Sequence, residues 1–320
     1  MKAEPTLALC IPAYNAAWCL PRLLGSAAAQ TSPFDEILVY DDCSTDDTAA
    51  VAERLGARVV RGDVNVGCST GKNRLAQETG CTWIHFHDAD DELMPDFVEL
   101  ARLWMVQGDA APDVVLFGYE ERDAASGVYI GTRQFDDEAL RRDPVGYAIR
   151  VQLNAIHGLY RRSAFLAAGG YDLDPDVLFN EDVAFHCRMA RAGLRFAADP
   201  AVPVINHRAT NSMSQANAAK CVRAQYHVMR KAAEASEPRH HPDIATRLWA
   251  IAGTAGSFLD WDTADAAATL ARRLGGARPP ASAGSASFRT VARFAPHVAL
   301  RIRERVIRVL RPEARATAGG

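Results

Sequence analysis

The sequence predicts an α/β chain whose mostly parallel sheet carries helices on both faces, followed by a C-terminal helical extension. Two observations carry that expectation. Over the first 120 residues, short apolar runs rich in β-branched residues alternate with stretches of helical spacing, and such alternation builds a parallel sheet buried on both faces. Between 216 and 275 the chain is Ala-rich and strand signals are missing.

Strands are expected at 6–11, 36–40, 57–61, 82–87 and 113–118, each a short apolar run bounded by polar residues, Gly or Pro. The first helix, 17–30, contains Pro21, which is tolerated because it falls in the first turn. The second, 48–55, follows cap residues at 44–47 and stops at Gly56. Two more are expected at 72–78 and at 96–106, the latter opened by Pro95. Residues 120–160 read as an irregular connection. A helix over 182–192 is closed by Gly193. The Gly/Pro/Ala/Ser composition of 275–287 reads as a flexible linker. The expected organisation is one α/β domain over 1–215, a helical extension over 216–275, a flexible linker over 276–290 and a basic amphipathic tail over 291–320.

The 320 residues include 36 Lys plus Arg, 39 Asp plus Glu and 48% hydrophobic residues. This is an ordinary globular mix with room for about two domains. A formal charge of −3 supplies no drive toward nucleic acid. Seven cysteines without a C-x-x-C pair fit a reducing compartment. The N-terminal apolar run is short and broken by Pro12, and no stretch reaches the roughly 18 apolar residues of a membrane span. A cytoplasmic protein is the expectation. In the tail, Arg293, Arg301, Arg303, Arg305, Arg308, Arg311 and Arg315 face only Glu304 and Glu313, while Val298, Ile302, Val306, Val309 and Leu310 repeat at helical spacing. Such a helix over 291–315 either lies on an anionic membrane, at the inner face, or packs on its own domain or a partner subunit.

The sharpest chemical signal is His87-Asp88-Ala89-Asp90-Asp91, directly after an apolar strand. Carboxylates at i and i+2 of a strand end can approach one hard cation, Mg²⁺ or Mn²⁺, together with phosphate oxygens. The alternative is a solvated acidic turn. A second cluster runs from Asp41 to Thr48. Its Ser, Thr and later Asp residues suit turns and caps, whereas Asp41 or Asp42 could accept hydrogen bonds from a base or ribose. In Asn180-Glu181-Asp182, ahead of a helix, the acids serve either the helix dipole or general-base chemistry. The segment Gly67 to Asn73 fails the Walker A spacing. His85 and His87 alternate on a strand and read as packed, and His240-His241 reads as solvated.

In this order these residues resemble the family 2 glycosyltransferases, whose fold is called GT-A. Ile11-Pro12-Ala13-Tyr14-Asn15 is similar to the family's first strand and loop, and Asp41-Asp42-x-Ser44-Thr45-Asp46-x-Thr48 to its second-strand signature. Asn65-x-Gly67 with Asn73, then Asp88-Ala89-Asp90-Asp91, then Gly169-Gly170-Tyr171-Asp172 with Glu181-Asp182, continue the match over about 6–210. The resemblance implies that Pro12, Tyr14 and Asp42 contact the nucleotide base and ribose, with Asp88 near the ribose. It further implies that Asp90 binds a Mn²⁺ or Mg²⁺ ion bridging the donor diphosphate, with His207 as a further metal or diphosphate contact, and that Asp182 is the catalytic base. Lys72, another donor contact, stands where relatives commonly carry Arg, so the charge survives without the bidentate fork. The implied activity is metal-dependent, inverting transfer from a nucleotide-diphosphate sugar, a UDP-sugar, to a glycan or lipid-linked acceptor in cell-envelope or exopolysaccharide biosynthesis. Two alternatives remain at this point. A sugar-nucleotide nucleotidyltransferase would need a Gly-rich basic first loop, which the stretch after Pro12 lacks. A non-catalytic sugar-nucleotide-binding scaffold would not need its acids intact.

Overall fold

A computed structural model describes residues 4–209 and 216–310. Its sheet has nine strands in the order β3-β2-β1-β4-β8-β6-β9-β5, with β7 pairing β6 off this path. Strand β1 (Leu7–Ala13) is buried at every position, as a central strand covered on both faces must be. It pairs in parallel with β2 (Glu36–Asp41), so that Pro12 lies beside Tyr40 and Ala13 beside Asp41. On its other side lies β4 (Trp83–Phe86), also parallel, with Cys10 opposite Phe86. The edge strand β3 (Arg58–Arg61) completes this parallel half. Helices α1 (Leu20–Ala28), α2 (Thr48–Arg54), α3 (Cys68–Glu78) and α4 (Phe97–Met105) fill the connections. In α1 the residues Leu20, Leu23, Leu24 and Ala27 are buried, the i, i+3, i+4, i+7 stripe of a helix laid on a core. That core gathers Leu9, Ile11, Val39, Trp83, Phe97 and Phe117.

Beyond β4 the sheet is mixed. Strand β8 (Gly158–Arg161) runs antiparallel to both β4 and β6 (Val114–Asp123). Strand β9 (Phe196–Arg208) is parallel to β6 and antiparallel to the two-residue β5 (Glu92–Leu93). Residues 120–160, expected as an irregular connection, therefore hold the end of β6, the hairpin strand β7 (Tyr129–Arg133), two helices, α5 (Asp137–Arg142) and α6 (Pro144–Arg150), and the start of β8. The reason is exposure. After Phe117 the β6 side chains are only half-buried, so no apolar run announces the strand. Register with β9 shifts between Phe117 and Tyr119. Gly118 allows this close approach, because a Cβ there would stand 2.9 Å from the carbonyls of Ala201 and Arg133.

The chain divides into two compact units. The first takes residues 1–144, 153–173 and 188–212, and the second takes 145–152, 174–187 and 213–320. In the second unit, helices Ala218–Ala235, His241–Ser257 and Trp261–Arg273 pack through small side chains. Ala264, Ala267, Ala268 and Ala271 are all fully buried. His240, expected in solvent, is buried instead, accepting from Arg239 Nε at 3.2 Å. Within 276–290 lie a 3₁₀ turn at Ala281–Ala283 and the start of helix Ala286–Phe294. Ser285 Oγ caps that helix by accepting from the Phe288 N–H at 3.2 Å, a local signal that the Gly/Pro/Ala/Ser composition hides.

Helix Pro296–Leu310 buries Ala299, Leu300 and Glu304. Arg301 holds Asp265 through two bonds of 3.0 and 2.9 Å, and His297 Nδ1 adds a contact at 2.8 Å. Burial pushes the Asp265 carboxyl up, but hydrogen bonds from Arg301 and His297 outweigh it and hold it below the usual range. Arg311, Glu313 and Arg315 lie outside the described residues. No described helix is long and apolar enough to cross a membrane. Because Asp265 ties Pro296–Leu310 to Trp261–Arg273, Asp265→Asn should cost about 1 kcal/mol, the upper range for a part-exposed pair. Amide exchange across 296–310 should then quicken about fivefold. Unchanged exchange there would show that apolar packing alone holds the helix.

Candidate active site

The carboxyl ends of β1 and β2 are stapled together. Ala13 accepts from the Asp42 N–H at 2.9 Å. Asn15, at a positive φ of 49°, donates its N–H to Ser44 Oγ at 2.9 Å and accepts from the Thr45 N–H at 2.8 Å. Ala16 donates to Thr48 Oγ1 at 2.7 Å. Ser44, Thr45 and Thr48 thus fill turn roles, and between them they fix the loop that carries Tyr14, half exposed beside buried Pro12. Asp42 is buried, and its two oxygens accept the N–H groups of Val66 and Gly67, each at 2.8 Å. Its carboxylate therefore holds the loop that leads into α3. Gly71 lets that helix rest on Pro12 and Tyr40, since a Cβ would meet the Tyr40 ring at 2.7 Å.

At the end of β4 the acids alternate in exposure. Asp88 is half-buried, Ala89 buried, Asp90 exposed and Asp91 buried again. Lys72 Nζ, on a side chain only 2% exposed, stands 3.5 Å from Asp88 Oδ1 and 5.2 Å from the Tyr171 ring centre. Arg22 Nη2 donates to the Asp90 carbonyl, so the turn is braced from α1. Asp91 is the fixed point. Its two oxygens accept from Asn206 Nδ2 at 3.1 and 2.9 Å, and Oδ1 also takes the His207 N–H at 2.7 Å. Burial, then the charges of Asp90 and Asp88, push the Asp91 carboxyl well above the usual range, against the pull of those donors.

His207 is placed by the same knot. Its Nε2 lies 3.0 Å from Glu92 Oε2, while its buried Nδ1 has no hydrogen-bond partner. His85 and His87 are buried in the core, as packed residues. His85 Nδ1 donates to the Gly158 carbonyl at 2.8 Å, so Nε2 must accept from His87 Nδ1 at 2.9 Å. Burial lowers His85 to about 4, and lowers His87 well below its ordinary value. Neither is a cation at neutral pH.

Asn73 clamps the 169–172 segment, donating to the Tyr171 carbonyl at 3.1 Å and accepting its N–H at 2.8 Å. Arg188 pairs with Asp172 at 3.2 Å. Strands β1, β2, β4, β6 and β9 all point the same way, by the parallel and doubly antiparallel pairings above. Pro12, Tyr14, Asp42, Asp88, Asp90 and His207 thus fall at their carboxyl ends, where open α/β sheets bind ligands. Asp182 belongs to the second unit. It lies in the first turn of helix Glu181–Arg191, partly exposed, its carbonyl 2.7 Å from His186 Nδ1.

Among the described residues no group of three or more His, Cys, Asp or Glu could cage a metal. The residues present suit a different binding mode. Asp90 is exposed, and a single open carboxylate of this kind is the sort of oxygen ligand that can share a divalent ion with substrate phosphates, whereas His207 Nδ1 is buried. Arg22, Asn73, Asp91, Glu92 and Asn206 were not among the expected site residues. The signal for Asp91 was present as the third acid of the cluster, but spacing does not say which acid turns inward.

A family model described as glycosyl transferase family 2 matches residues 8–165. A PGL/p-HBAD biosynthesis glycosyltransferase of Mycobacterium bovis (strain BCG / Pasteur 1173P2) is 30% identical over 190 residues, covering 58% of this chain and 70% of the relative. Among solved structures, residues 1–349 of S. aureus TarS in complex with UDP-GlcNAc superpose with a TM-score of 0.71 at 19% identity, covering 95% of this chain and 92% of that one. The mannosyltransferase PcManGT from Pyrobaculum calidifontis, in complex with GDP-Man and Mn²⁺, gives 0.61 at 18% identity, covering 99% and 85%. These two likenesses show the GT-A fold.

Asp91→Ala leaves the Asn206 amide and the His207 N–H without an acceptor. At about 1–3 kcal/mol per buried orphaned donor, the variant should unfold at clearly lower denaturant, and Asp91→Asn should lose less. An Asp91→Ala protein as stable as the parent would show that the knot is not what holds the turn to β9.

Proposed function

The chain belongs to glycosyl transferase family 2, and from that premise we propose that it moves a sugar from a UDP-sugar to a hydroxyl of a glycan or lipid-linked acceptor, with inversion at the anomeric carbon. The observation that carries the reading is the cluster at the carboxyl ends of β1, β2 and β4. There the loop held by Asp42, the Lys72–Asp88 pair and the exposed Asp90 share one edge of the sheet. Likeness to structures that hold UDP-GlcNAc or GDP-Man supports a nucleotide-sugar donor.

In this reading Pro12 and Tyr14 line the base, and Asp42 shapes the pocket by fixing the backbone at 66–67. Asp88, steadied by Lys72, faces the ribose, and Lys72 keeps one positive charge at the donor end. Asp90, with His207 as a second contact, would hold a divalent ion, which would supply neutralising charge at the departing diphosphate. Asp182 takes the proton from the acceptor hydroxyl. The freed oxygen forms the new bond to the anomeric carbon as the bond to the donor's phosphate oxygen breaks, and a nucleoside diphosphate leaves. Envelope or exopolysaccharide biosynthesis is the setting proposed for the acceptor.

A screen of nucleotide sugars with Mn²⁺, read by calorimetry and by transfer or donor hydrolysis, tests this. Asp182→Asn should lose about 10²–10⁴-fold in turnover, the usual worth of a general base, while still binding donor. Asp90→Ala should lose the Mn²⁺-dependent part of donor affinity. Unchanged turnover in Asp182→Asn contradicts the base, and donor binding with no turnover in the parent protein favours a scaffold.

A further inference from the structure

In the second unit, helices Ala286–Phe294 and Pro296–Leu310 present an apolar face that is exposed among the described residues. Helix Pro296–Leu310 is anchored by its other side, through Ala299, Leu300, Glu304 and the Arg301–Asp265 pair. Arg301 also lies over the Trp261 ring at 4.8 Å, and Arg308 donates to the Ser257 carbonyl at 2.8 Å. Turned outward are Val298, Ile302, Val306 and Val309, spaced four, four and three residues apart along one stripe, with Ile302 53% and Val306 47% exposed. Phe294, at the turn between the helices, is 74% exposed. The stripe continues into a groove of about 350 Å³ lined by Phe288, Val291, Ala299, Ile302, Val306 and Ile307. A contiguous exposed apolar surface of this kind marks an interaction site.

Charge identifies the occupant. Residues 281–310 hold six arginines and one acid, Glu304, in a chain whose net charge is −3. Glu304 is buried and bonded to Arg308 at 2.9 Å, so no carboxylate of this pair of helices reaches the rim. Arg293 and Arg305 are exposed there. A second copy of the chain, docked by two-fold symmetry, would set this basic rim against itself. An anionic lipid surface accepts both features, the aliphatic stripe entering the headgroup boundary and the guanidinium groups meeting lipid phosphates. We propose that Ala286–Phe294 and Pro296–Leu310 together form a seat for an anionic bilayer surface, with Phe294, Val298, Ile302, Val306 and Val309 as the inserted residues.

Co-sedimentation of the full chain with vesicles tests this, using phosphatidylcholine alone against equimolar phosphatidylcholine and phosphatidylglycerol. No sugar donor is present, so failure here would leave the transferase reading intact. The chain should partition to the anionic vesicles only, and high salt should release it. At about 1 kcal/mol per basic residue, Arg293→Gln with Arg305→Gln should weaken partition roughly 30-fold, and Ile302→Glu should weaken it as well. Because these side chains are exposed, the melting temperature should hold. Partition that is absent at low salt, or equal on neutral and anionic vesicles, overturns the proposal. So does a dimer in solution that Ile302→Glu dissolves, which would make the occupant a second copy.

Discussion

A buried carboxylate sets the geometry of the turn that follows β4. Asp91 sits 2% exposed, bound by the Asn206 amide and the His207 N–H, and this fixes the short turn after β4 against the last strand of the sheet. Burying a charge costs several kcal/mol unless it is paired or well bonded. The bonds from Asn206 and His207 lessen that cost without cancelling it, since burial and the neighbouring carboxylates still push the Asp91 carboxyl well above its usual range. They hold the turn in a single conformation. The consequence is directional. With Asp91 drawn inward, Asp90 is left facing solvent and Asp88 is left within reach of Lys72.

The same economy of means recurs along the sheet edge. Asp42 accepts from two backbone N–H groups and so fixes the entry to α3, and Asn73 clamps Tyr171 through both of its amide atoms. Each polar side chain holds a loop, and the loops present fewer groups to a ligand than the acid count of the sequence suggests. Such supporting contacts are what keep a reacting constellation within tight tolerance.

The parallel half of the sheet was legible because strands buried on both faces must be apolar throughout, as β1 is. Strands β7 and β9 were not, because β7 is exposed and β9 contains Pro200 and Pro203, so neither shows an apolar run or a clean alternation. Helix Ala286–Phe294 hid in a composition that reads as linker, although Ser285 caps it. At the site, Asp88 and Asp90 stood out as a pair at a strand end. Which acid would be structural could not be read from spacing, since Asp91 is singled out only by Asn206 and His207, 115 and 116 residues away. The exposed stripe of Pro296–Leu310 was visible as periodicity, but its anchoring through Asp265 required the fold.

The central claim is that the turn fixed by Asp91 presents Asp90 to a divalent ion that arrives with a nucleoside diphosphate. Crystals grown with UDP and Mn²⁺, and measured for anomalous scattering from manganese, address it directly. The account predicts a manganese peak bonded to Asp90 and to the diphosphate oxygens, with Asp91 still holding Asn206 and His207. A nucleotide bound with its diphosphate away from Asp90, or manganese found only at other carboxylates, would contradict it.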